Sequence, residues 1–429
     1  MESSEFKEKY TNHPYPPLLN PDSIPYQSIS ADLAWELNLP LPNNYSFIFL
    51  TSHAVGRSAT ATCLAKCGVP TYLDFIFFDS NKYRYIGYYN ILKHSEIPSQ
   101  YNMVAISEVQ QQQEKFFYLL RQKPFLILVR DPISCLKTLL NYPIINSHSK
   151  KDYTLQDKDF LVQVQKHTFN ELGVSNIIPD ILDAFNNESS YCRLIEKAIV
   201  IQTDDVTPQN AFTTFKKLSN IFGFKQPKEE DRIMFETTFV QGVFECLFPI
   251  VLKINKSDFS DDTTLEVEHF YIYICSNMVW FLMDMEKHLG ELECITSLLD
   301  VKQQAINDLT IKIDKKYFCF LQKDLQLTKK IKHYLEQLLF ALYEQNELYK
   351  KGANITQEDI LTFFRYSTNC RKKFKTHLDE RVAYFKKYHP GIVASWKYYL
   401  EFEKMCAELD QTKSITNNLN STNKKEEPD

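Results

Sequence analysis

The 429-residue chain reads as an α/β protein with a parallel-sheet core, a β-hairpin and a large C-terminal helical region. Three observations predict this. Apolar runs of strand length (Tyr45 to Leu50, Met103 to Ser107, Phe125 to Val129, Ala198 to Gln202) alternate with stretches of helical period, and strand–helix–strand repeats build parallel sheets. The run FLILV at Phe125 to Val129 is apolar at every position, as in a strand buried on both faces. From Asn277 to about Leu409 the pattern is almost all helical, with breaks near Gly352 to Asn354 and at His389-Pro390-Gly391.

Hydrophobic content of 44% and charged content of 24% are those of a globular protein with a real core. The net charge of -5 is uneven: Lys312 to Lys404 holds 19 Lys/Arg against 11 Asp/Glu. Such asymmetry suits an anionic partner or a solvated helical face. The start MESSEFKEKY has no apolar leader segment, and no run of 18 apolar residues occurs, so no transmembrane segment is expected. The ten Cys form no CxxC pair, and Cys63 and Cys67 at helical spacing read as buried thiols. A cytoplasmic location is expected.

Residues 1–44 are Pro-rich and read as an extended arm, broken by one short helix from Ala31 to Leu37 with Ser30 as its N-cap. Trp35 is the expected anchor. The core spans 45–243 and opens with the strand Tyr45 to Leu50. Gly56-Arg57-Ser58-Ala59-Thr60 then opens a helix that Gly68 and Pro70 close near Cys67. A strand, a loop with one Gly, a basic residue and hydroxyls at a helix start is phosphate-binding chemistry, because free N–H groups and the positive helix end face an anion. The Walker A pattern is incomplete: Gly56-Arg57-Ser58 matches its last three places with Arg for Lys, and the first Gly is missing.

A strand is predicted at Thr71 to Phe78, a substrate-side loop at Asp79 to Gln100, and a helix from about Glu108 to Arg121. Phe125 to Val129 ends at Arg130-Asp131-Pro132, where Pro132 suits a first helical turn and Ile133, Leu136, Leu139 and Leu140 share one face. A charged residue at the carboxyl end of a central strand stands where open α/β sheets bind ligands. Arg130 and Thr138 can reach one phosphate, by guanidinium fork and hydroxyl. Further helices are expected at Phe160 to Leu172 and at Gln209 to Phe222, the second ending at Gly223. Residues 244–276 read as a hairpin of Phe244 to Ile254 and Leu265 to Cys275 across the turn Asp258 to Thr264. Residues 277–410 form the helical region, in which Val393, Trp396, Tyr399, Leu400 and Phe402 make a core face. The tail 411–429 is expected to be disordered.

Three pieces occur in one order: the loop Gly56 to Thr60, Arg130-Asp131-Pro132 with Thr138, and AIVIQTDDVTP before a helix ending IFGF. Over about residues 45–225 this resembles the P-loop-like nucleotide core of the sulfotransferase superfamily. The resemblance implies 3′-phosphoadenosine 5′-phosphosulfate as co-substrate. Gly56, Arg57, Ser58, Ala59 and Thr60 would then lie at the 5′-phosphosulfate, and Arg130 and Thr138 at the 3′-phosphate. It implies sulfuryl transfer to a hydroxyl acceptor such as a glycan, with Arg57 offsetting charge on the leaving oxygen. The general base is either Glu108, just after the third strand, or His94; His53 lies in the loop itself. Ala59 departs from the superfamily's Gly, Thr138 replaces its Ser, and the late Arg-Lys-Gly segment is not evident.

The whole chain also resembles an epsilonproteobacterial family of unknown function, through AWELNLPLP (Ala34 to Pro42), SHAVG (Ser52 to Gly56), VRDPIS (Val129 to Ser134) and HPGIVASWKYYLEFEK (His389 to Lys404). No metal is expected, because no His/Cys/Asp cluster has ligand spacing. Nucleic acid is not expected as a partner, because no recognised binding motif is present. Two other readings fit the same residues. One is a P-loop kinase with Asp131 as a metal-holding acid. The other is a non-catalytic nucleotide fold serving as an interaction platform.

Overall fold

The computed structural model describes residues 4–70, 81–94, 102–106, 114–142, 144–145, 152–158, 160, 164–165, 168–182, 198–237, 248, 250–260, 266–276, 291–299, 309–352 and 354–422. The N-terminal arm carries helix α1 (Ser4–Tyr10), which its sequence does not announce, and α2 (Ala31–Glu36), whose Ser30 Oγ accepts from Leu33 N at 3.4 Å. Trp35 packs on Tyr85 with ring centroids 5.3 Å apart, and Lys115 Nζ lies 4.6 Å from its ring, so Trp35 ties the arm to the core as expected.

The first half of the core runs β1 (Phe47–Leu50), α3 (Arg57–Lys66), α4 (Asn81–His94), β2 (Met103–Ile106), α5 (Glu114–Tyr118), β3 (Phe125–Val129) and α6 (Pro132–Leu140). Next come β4 (Ile144–Ile145), β5 (Asp152–Thr154), β6 (Val164–Gln165), α7 (Glu171–Leu182), β7 (Ala198–Gln202), α8 (Ala211–Phe222) and α9 (Arg232–Phe235). Strands β1, β2, β3 and β7 form a parallel sheet in the order β2-β1-β3-β7. Every residue of β1, β2 and β3 is buried, which explains their unbroken apolar runs. The chain leaves β1 on one side to reach β2 and returns on the other side to β3. That reversal makes the carboxyl ends of β1 and β3 the sheet's switch point.

The segment 79–100, expected as a loop, contains α4 instead. Its Arg84, Tyr85, Tyr88, Tyr89 and Leu92 are buried at helical spacing. The tyrosines mask the period because they read as polar, yet Tyr85 Oη donates to Leu39 O at 2.7 Å and Tyr88 Oη accepts from Ala105 N at 2.8 Å. The helix expected at 160–172 is replaced by β6 and by α7, which starts at Glu171 where Asn170 Oδ1 accepts from Gly173 N. The strand expected at 71–78, together with Ser107 and Glu108, lies outside the described residues. Of the helix expected at 108–121, Glu114–Tyr118 is seen.

Of the hairpin expected at 244–276, residues 244–247, 249 and 261–265 lie outside the described residues, while β8 (Ile250–Asn255) does run antiparallel to β9 (His269–Ser276). They belong to a larger sheet, however. The region expected to be helical supplies two strands, β10 (Leu292–Cys294) and β11 (Leu309–Asp314), with α10 (Thr296–Leu299) between them, giving the order β10-β11-β9-β8-β5. LTIKID at 309–314 alternates with period two, burying Leu309, Ile311 and Ile313, so this short strand was concealed by its helical surroundings.

The remaining helices are α11 (Lys315–Lys323), α12 (Leu325–Lys351), α13 (Gln357–Tyr366), α14 (Thr368–Tyr388), α15 (Pro390–Ser395) and α16 (Lys397–Thr422). Two cores divide them. Residues from α11 and α12 pack with the five-stranded mixed sheet, in which β5 runs parallel to β8, whereas α13, α14, α15 and α16 pack into the core of the parallel sheet. Val393, Trp396, Tyr399 and Phe402 are buried there, but Leu400 is 44% exposed and leaves the expected face. The helix α16 also runs on to Thr422, through a stretch expected to be disordered. Among the described residues, no helix is long and apolar enough to cross a membrane.

Candidate functional site

Residues 51–56 connect β1 to α3 at the switch point. Thr51 N donates to Ile106 O at 3.0 Å, which fixes the loop's first residue to the neighbouring strand. Ala54 (φ +62°) and Gly56 (φ +95°) are left-handed. A Cβ at Gly56 would meet nothing closer than Val206 Cγ2 at 3.5 Å, so backbone angle rather than space calls for glycine there. Left-handed residues ahead of a helix start are the backbone signature of anion-binding concavities. The N-cap of α3 is Gly56, which has no side chain to cap the helix that begins at Arg57.

Ser58 occupies the first turn and is half-buried. Ala59 follows it, placing a Cβ in that turn. Thr60 is fully buried and its hydroxyl donates back to Gly56 O at 3.0 Å, so its proton is spent within the helix. Ser52 was not anticipated. It is completely buried, and its Oγ has no hydrogen-bond partner among the described residues. A small hydroxyl residue directly after a buried strand was the available signal.

Arg130 projects from the end of β3 onto this loop. Its Nη1 donates to Ala54 O at 2.9 Å and to Thr138 Oγ1 at 2.8 Å, while Thr138 Oγ1 donates to Ser134 O at 3.1 Å. Among the described residues both bonds of the guanidinium use Nη1, which leaves the Nε and Nη2 donors for another group. The structure therefore brings together Gly56, Arg57, Ser58, Ala59, Thr60, Arg130 and Thr138 at one sheet end. Thr203, just after β7, adds a third contact: its Oγ1 donates to Val55 O at 2.7 Å.

Asp131 does different work from its neighbour. Its Oδ1 accepts from Ile133 N and Ser134 N at 2.9 and 3.3 Å, capping α6. Its Oδ2 accepts from Tyr398 N and Tyr399 N at 2.9 and 3.2 Å, capping α16. Burial pushes its carboxyl above the usual range, against the pull of those four N–H groups. Beside it, Gln202 Oε1 accepts from Trp396 Nε1 at 2.9 Å and from Ser395 Oγ at 3.2 Å. The C-terminal segment thus roofs the ends of β3 and β7. Asn141 adds a clasp at the far end of α6, its side chain exchanging two hydrogen bonds with the Ile355 backbone.

Of the two candidate bases, Glu108 lies outside the described residues, and so does the side chain of His94, which ends α4. His53 sits in the loop, half-buried. A separate groove of about 360 Å³ lies between α13 and α16, lined by Glu358, Arg365, Glu401, Lys404 and Glu408 among others. Its charges are mixed and solvated, so the switch point is the better candidate.

Residues 200–409 match the model of a family described as a protein of unknown function (DUF2972). The match starts inside β7 and includes Gln202, Thr203 and the roof, but neither the 51–56 loop nor Arg130. No curated protein and no solved structure matches the chain.

Proposed function

We propose that the loop at 51–60 and Arg130 bind 3′-phosphoadenosine 5′-phosphosulfate within a P-loop-like core, and that the protein moves its sulfuryl group to a hydroxyl, on a glycan. The observation that supports this is the Arg130 Nη1 bond to Ala54 O, which joins two distant segments at one switch point. Nε and Nη2 can hold one phosphate as a bidentate fork, and the N-terminal turn of α3 can hold the other. In the transfer, the sulfur–oxygen bond to the phosphate breaks as one to the acceptor forms. The acceptor proton passes to a base, Glu108 or His94 by the resemblance, and Arg57 offsets charge on the departing phosphate oxygen. Calorimetric titration with adenosine 3′,5′-bisphosphate tests the reading: the native protein binds and Arg130→Ala does not. Equal affinity in both sinks it.

The kinase alternative is weakened by Asp131, whose two oxygens already accept four backbone N–H groups. The platform reading is favoured by one observation, that the family match begins beyond both the loop and Arg130. A thermal-shift screen with the bisphosphate, ATP with magnesium, and GTP separates the three, since a ligand selective for the folded state raises Tm. Silence to all three nucleotides favours the platform.

A further inference from the structure

The ends of β3 and β7 each carry two consecutive residues with divided duties. After β3, Arg130 holds the loop at Ala54 O (2.9 Å), while Asp131 holds α16 at Tyr398 N and Tyr399 N (2.9 and 3.2 Å). At β7, Thr203 holds the loop at Val55 O (2.7 Å), while Gln202 holds Trp396 Nε1 and Ser395 Oγ (2.9 and 3.2 Å). These are not solvated surface contacts. Trp396 is 3% exposed and Asp131 8%, and Trp396 packs on Tyr399 and Phe385 with ring centroids 5.9 and 6.3 Å away.

We infer that Trp396 and the start of α16 are positioning elements for the 51–56 loop. Seating of residues 395–399 fixes the strand ends from which Arg130 and Thr203 grip Ala54 and Val55. Because coupling between two sites is reciprocal, a ligand that orders the loop also tightens α16. Only the ligand's identity rests on the reading above; the coupling itself belongs to the free protein.

Hydrogen exchange on the full chain tests this with Trp396→Phe, which keeps a ring and removes the indole donor, and with Gln202→Met. In the unliganded protein both variants speed exchange of amides 51–60 by about fivefold, the scale of one lost hydrogen bond. Gln202→Glu keeps the acceptor oxygen and restores native exchange, which separates loss of the bond from general loosening. If amides 398–402 loosen while 51–60 exchange at the native rate, the proposal is overturned.

The native protein gives a second arm that needs no variant to fold. Adenosine 3′,5′-bisphosphate slows exchange at both 51–60 and 398–402. Protection of the loop alone overturns the coupling and leaves the ligand reading standing. Protection at neither, with the loop still loosened in the variants, removes the ligand reading and supports the coupling.

Discussion

Asp131 Oδ2 accepts the backbone N–H of Tyr398, 267 residues further along the chain, at 2.9 Å. One buried carboxylate thereby caps two helices that the sequence keeps far apart. Asp131→Ala uncovers four backbone donors at once and is expected to cost about 2–4 kcal/mol, two caps' worth. Asp131→Asn keeps one carbonyl oxygen and should lose roughly half as much. Denaturant unfolding measures both, and an unchanged midpoint for Asp131→Ala would show that the double cap contributes nothing.

Arg130→Lys discriminates a fork from a point charge. Lysine keeps the charge but has no second planar edge, so bisphosphate affinity is expected to fall about tenfold or more, with Tm nearly unchanged. Titration calorimetry reads this. A lysine variant that binds as tightly as the native protein contradicts bidentate recognition.

Gly56→Ala meets no steric obstacle, since the nearest atom is 3.5 Å from the added Cβ, but it must adopt φ +95°. The expected cost is about 1–2 kcal/mol of strain. Either the variant unfolds at lower denaturant, or it relaxes the loop and loses affinity for the bisphosphate. Native stability together with native affinity would remove the conformational role given to this glycine.

Burial pushes the thiols of Cys67 and Cys135 up to about 12, and that of Cys63 higher still. All three stay protonated in the folded protein at pH 8.5, so iodoacetamide should label the exposed Cys294 and Cys319 and spare them. Peptide mass spectrometry after brief labelling checks this. Because the folded values lie above the unfolded ones, these thiols carry no penalty below about pH 8.5, and stability falls as pH rises beyond it. A denaturation midpoint that rises between pH 8 and pH 10 contradicts this assignment.

The parallel sheet was legible because β1, β2 and β3 are buried on both faces, so their apolar runs carry no competing pattern. The meeting of Arg130 with the 51–56 loop was expected through the resemblance alone; physically it rests on β1 and β3 lying side by side, which no local stretch of sequence announces. What escaped was set by tertiary partners. The tyrosines of α4 read as polar until their hydroxyls are seen bonded to Leu39 and Ala105. The strand at Leu309–Asp314 spans six residues, too few to stand out beside long helices. Asp131 reads locally as a cap for α6, and nothing near it in sequence points to Tyr398.

The division of the C-terminal helices between two cores has a consequence for synthesis. The parallel-sheet core draws on residues from Ala31 to Phe235 and again from Ile360 to Cys406. A ribosome working from the N-terminus therefore delivers all four of its strands long before the helices that cover them. Until the last of those helices emerges, the sheet must wait with part of its apolar face unprotected. A nascent chain stalled near residue 350 should accordingly depend on a chaperone that the released 429-residue chain no longer needs.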